Sequence, residues 1–62
     1  MTQKELSYVE DAVSHEKAII KIINDSISNL DDGKLISFMN GELKKHKKIE
    51  ERLLNLLEDN NE

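Results

Sequence analysis

The chain has no cysteine, so disulfides, a thiolate nucleophile and a zinc knuckle are all excluded. It has no proline and only two glycines in 62 residues, which leaves no material for a phosphate-binding loop or a turn-rich β architecture. Tryptophan is absent, and Tyr8 and Phe38 are the only aromatic residues. No apolar run approaches the roughly 18 residues that a membrane span requires. The start, MTQKELSYVED, lacks the basic head and apolar core of a signal peptide, so a cytoplasmic location is the expectation. At this length the chain forms one domain at most, burying about 60% of the surface its unfolded form exposes, and no large enzyme core fits.

The remaining composition is helical in character. Hydrophobic residues make up 37% and charged residues 35%, too apolar for simple disorder. In the first half Leu6, Val9, Val13, Ile20, Ile23, Ile27 and Leu30 recur in steps of three and four around one polar interruption at Glu16. Thr2 followed by Glu5 fits a capping box that starts this helix. The second half repeats the habit through Leu35, Phe38 or Met39, Ile49, Leu53 and Leu56 or Leu57, with a polar middle at Glu42 and His46. Between them Asn29-Leu30-Asp31-Asp32-Gly33 favours a short connection, with Asp31 or Asp32 capping the next helix. A short connection makes the helices antiparallel neighbours. Asn40-Gly41 is not a turn, because the flanking pattern keeps helical phase across it. The expectation is an all-α antiparallel hairpin forming a single domain over 1–62, with helices at about 3–29 and 32–58 and a frayed tail at 59–62.

The apolar surface is wider than one helix contact uses. Tyr8, Ala12, Ile19 and Ile22 lie on a flank of the first helix, and Ile36, Leu43 and Leu54 on a flank of the second. A lone hairpin of this size also has too small a core for comfortable stability. The predicted remedy is a homodimer with two-fold symmetry, a four-helix bundle in which Tyr8 and Phe38 fill core and dimer contacts.

With the turn between Asp31 and Asp32, residues at equal height have numbers summing to about 63, which sets Glu16 opposite His46. Glu42 and Glu50 flank His46 by one turn on either side. A buried acid must meet a partner, an ion or trapped water. In a dimer, paired copies of Glu16, His46, Glu42 and Glu50 would form the ligand set of a di-iron or di-manganese site. The simpler reading of Glu16 and His46 is a buried pair that sets helix register, with Glu50 serving Lys47 or Lys48 or standing solvated at the border of the stripe.

The run Leu6, Val9, Glu16, Ala18-Ile19-Ile20, then Leu35, Phe38, Glu42, His46 and Leu53-Leu54, resembles one half of a ferritin-like bundle of the rubrerythrin and spore-coat F type. The resemblance covers nearly the whole chain. It implies a metal-ligand role for Glu16 and for His46 of a Glu-x-x-His motif, whose Glu position is occupied here by Leu43. Through its coat-type members it also implies a structural role and a spore-associated location. In architecture alone, a dimeric hairpin is similar to the plasmid repressor-of-primer family, which binds RNA loops. The net charge of −4 opposes nucleic-acid binding despite Lys44-Lys45-His46-Lys47-Lys48. Ser14-His15-Glu16 is similar to the opening of the phosphoacceptor box of histidine-kinase hairpins, which implies a phosphotransfer role for His15, although no proline follows it. The leading expectation is a non-enzymatic structural or protein-interaction module with no catalytic residues and no cofactor. Iron or manganese binding stands second.

Overall fold

Thr2 begins the first helix in the way its spacing from Glu5 predicts. The Thr2 hydroxyl accepts the Glu5 amide at 3.1 Å, and the Glu5 carboxylate accepts the Thr2 amide at 2.7 Å. Two backbone donors of the first turn are thereby satisfied reciprocally. The computed structural model describes residues 1–59, with α1 at Gln3–Ile27 and α2 at Gly33–Asp59. The two helices pack against each other as an antiparallel hairpin.

The end of α1 is built from side chains in the absence of a left-handed glycine. The Ser28 hydroxyl donates to the Asp25 carbonyl at 2.9 Å, and the Asn29 amide donates to the same carbonyl at 2.8 Å. These bonds occupy a carbonyl that the last turn would leave open. Of the two candidate caps, Asp32 starts α2, its Oδ1 accepting the amides of Lys34 at 2.8 Å and Leu35 at 3.1 Å. Helix α1 therefore stops at Ile27, short of the expected Asn29, because Ser28 and Asn29 serve as its cap. Helix α2 runs unbroken through Asn40-Gly41 and extends to Asp59, one residue further than expected. The rest of the expected tail, residues 60–62, lies outside the described residues.

On α1 the predicted stripe faces the partner helix, and Val13 and Ile23 are the buried residues of the core. On α2 the seam differs from the expected one. It runs through Ile36, Met39, Leu43, His46, Glu50, Leu53 and Leu57, all half-buried. Leu35 and Ile49, expected in the seam, are exposed instead; of the alternatives Phe38 or Met39 and Leu56 or Leu57 the second of each is inside, and the supposed flank residues Ile36 and Leu43 are inside as well. The reason is phase. The observed seam is an unbroken alternation of three and four residues matching the stripe of α1, whereas the expected one mixed two such rows. Phe38 and Tyr8 are accordingly not core residues of the hairpin: they are 62% and 63% exposed.

The result is a rod of 46 × 14 × 12 Å with a radius of gyration of 14.4 Å. A compact chain of this length would have a radius of about 10.6 Å. Its accessible surface, 5000 Å², exceeds the roughly 4,100 Å² expected of a folded monomer of this mass. Among the described residues no helix is long and apolar enough to cross a membrane.

Candidate functional site

Midway along the rod, Glu16 and His46 meet as their equal heights require. His46 Nδ1 lies 2.6 Å from Glu16 Oε2, with side chains 22% and 14% exposed respectively. An ionised carboxylate only accepts hydrogen bonds, so with Glu16 charged the Nδ1–H donates, and the lone pair or second proton resides at Nε2. This contact joins the helices at a seam position that would otherwise hold two apolar side chains.

The other two acidic candidates do not join it. Glu42 lies one row off the seam and pairs with Lys45 on its own helix at 3.5 Å, the lysine well exposed. Leu43 occupies the seam in its place. Glu50 is half-buried in the seam itself, one turn beyond His46, and among the described residues it pairs with neither Lys47 nor Lys48. Its spacing of four from His46, which already put it on the same face as that ring, and of three from Leu53 accounts for this place. Among the described residues no three metal-ligating side chains gather within one hairpin. Glu16 and His46 are engaged with each other, so a metal would have to part them and draw further ligands from a second copy.

His15 is exposed, as phosphotransfer to its ring would require. Its position belongs to a second row on α1, lying one residue before each seam position: Glu5, Tyr8, Ala12, His15, Ile19, Ile22 and Ser26. The corresponding row on α2 is Leu35, Phe38, Glu42, Lys45, Ile49, Arg52 and Leu56. Because right-handed helices running in opposite directions turn oppositely about the hairpin axis, both rows come to the same side of the molecule. The opposite side carries the rows one residue after the seam. On α1 that row is Ser7, Glu10, Ser14, Lys17, Lys21 and Asn24, polar throughout, and on α2 Leu54 is its one large apolar member. The hairpin thus has an apolar face and a polar face.

Compared with family models, with curated proteins and with solved structures, the chain matches none of them. Its residues alone carry the functional argument. Tyr8 and Phe38 lie on the apolar face together with Lys45 and Arg52, while Lys17, Lys21, Lys44 and Lys47 lie on the polar one.

Proposed function

We propose that the chain is a non-enzymatic interaction module that acts as a homodimer, two hairpins stacking their apolar faces into a four-helix bundle. The supporting observation is the one-sidedness of the exposed apolar surface. Tyr8, Ile22 and Phe38 are each more than 60% exposed on one face, whereas the other face carries hydroxyls, amides and charges around the single large apolar Leu54. Scattered surface apolar residues are ordinary, but large apolar residues recurring along both helices of one face, interrupted on α2 by Glu42, Lys45 and Arg52, mark a contact surface. A second copy is the occupant that supplies a matching face of equal length, and two-fold closure leaves no apolar face uncovered. The same covering gives the hairpin, in which only Val13 and Ile23 are buried among the described residues, the core it lacks.

The test is mass under native conditions. Sedimentation or native mass spectrometry should give twice 7.2 kDa, and Ile22→Lys should return the monomer. A wild-type monomer at concentrations well above those of the assay would overturn the proposal.

A metal-binding role of the ferritin-like kind is the second reading, supported by the 2.6 Å Glu16–His46 pair at mid-bundle. Retention of iron or manganese by the wild type, and its loss in Glu16→Leu, would move this reading to first place.

A further inference from the structure

Self-association through the apolar face leaves two ways of stacking it on its own copy about a two-fold axis. With the loops at the same end, α1 lies over α2 of the second copy. With the loops at opposite ends, α1 lies over α1 and α2 over α2. The Glu16–His46 contact sets the relative height of the two helices within a hairpin. Choosing a register for one helix across the interface therefore sets it for the other.

In the opposed stack one register satisfies both helices. Placing Tyr8 against Ile22 of the second copy brings His15 to the axis. The same register sets Phe38 against Leu56 and Glu42 against Arg52 of the second copy, and all of these positions are on the exposed face except the half-buried Glu42. Lys45 then falls opposite Ile49, over which its methylene stem can lie with the ammonium in water. The apolar match on α1 and the charge match on α2 are separate features of the sequence, and they agree.

In the same-end stack the charge match on α2 is lost. Glu42 falls opposite Ile19, and Arg52 of the second copy lies ten residues away along α2, about 15 Å. There the carboxylate keeps only the 3.5 Å contact with Lys45 of its own helix and faces an isoleucine, which is less favourable than meeting a guanidinium across the interface. We infer that the two copies stack with their loops at opposite ends and that Glu42 pairs with Arg52 across the interface. This inference rests on the self-association proposed above.

The experiment uses the full chain with one cysteine, Asp31→Cys in the loop, which is unique because the protein has none. A spin label there reports the distance between loops by dipolar electron paramagnetic resonance. The opposed stack gives a separation comparable with the 46 Å length of the rod, and a separation near its 14 Å width overturns the inference in favour of the same-end stack. Absence of any intermolecular coupling, with a monomeric mass, overturns the self-association itself, so the two failures are distinguishable. A charge exchange provides the second arm. Glu42→Arg and Arg52→Glu should each raise the dimer dissociation constant about 10-fold, and the double variant should recover to within about 3-fold of wild type. No recovery in the double variant would remove the Glu42–Arg52 pair.

Discussion

Glu16 and His46 form the one cross-helix polar contact among the described residues, and its energetics follow from its half-buried setting. Removing one member leaves the other in the seam without its partner, which is costlier than removing both. Glu16→Ala is therefore expected to destabilise the protein by about 1–2 kcal/mol, while replacing both residues by leucine is expected to be neutral or stabilising. Urea unfolding of the two single variants and the double variant checks this, and a double variant as unstable as the sum of the singles would show that the pair is not acting as a unit. Solvent at the pair keeps these figures near the low end of those for buried ion pairs.

Glu5 makes a second residue-scale prediction. Its carboxyl is held below its ordinary pKa, first by the Thr2 amide and then by the Thr2 hydroxyl. A carboxylate with a depressed folded value stabilises the fold fully above its unfolded pKa and loses that contribution as the pH falls through the folded value. The stability difference between wild type and Glu5→Gln should therefore be constant at neutral pH and shrink below about pH 4.5. Unfolding measured across that range decides it, and a difference that grew toward acid would contradict the cap.

At the scale of the elements, both helix starts and the continuity of α2 are open to direct test. Asp32 satisfies two amides of the first turn of α2, and Asp32→Ala should cost about 1 kcal/mol in thermal or urea unfolding. Gly41 sits in the helix interior with nothing within 4 Å of where a Cβ would stand. Gly41→Ala should stabilise the protein by about 1 kcal/mol, because alanine loses less backbone freedom in a helix and meets no obstruction. A loss of stability would mean that this stretch bends or opens in the working form. The caps and the helical phase across Asn40-Gly41 were legible beforehand because they depend on contacts within one turn. The exact end of α1 was less so. Ser28 and Asn29 fold back onto carbonyls of the last turn, and helix-poor residues read alone do not distinguish the final turn from the cap that closes it.

For the whole molecule, the decisive property is the difference between its two faces. If the apolar face is covered by a second copy, stability depends on protein concentration, since dilution favours the separated hairpins. The melting temperature should rise with concentration in the wild type, and this dependence should vanish in Phe38→Lys, whose side chain points away from the hairpin seam. Circular dichroism should show the variant still helical at low temperature but melting earlier. A wild-type melting curve independent of concentration would count against the dimer.

What the sequence determined by itself is what short-range physics controls: two helices from the three-and-four spacing, a start at Thr2 from its distance to Glu5, and an antiparallel arrangement from the brevity of the loop. Equal rise from the turn was also enough to place Glu16 opposite His46. The tertiary structure alone decided which of two adjacent apolar rows of α2 faces inward. Both rows have helical spacing, and while the outward one carries Glu42, Lys45 and Arg52, the inward one carries His46 and Glu50, so polarity within α2 alone does not choose between them. The choice depends on which row matches the full length of α1, and it placed Ile36, Leu43 and Glu50 inside while turning Leu35, Phe38 and Ile49 outward. That one-residue difference in phase moves every side chain by about 100° and creates the apolar face on which the proposed function rests.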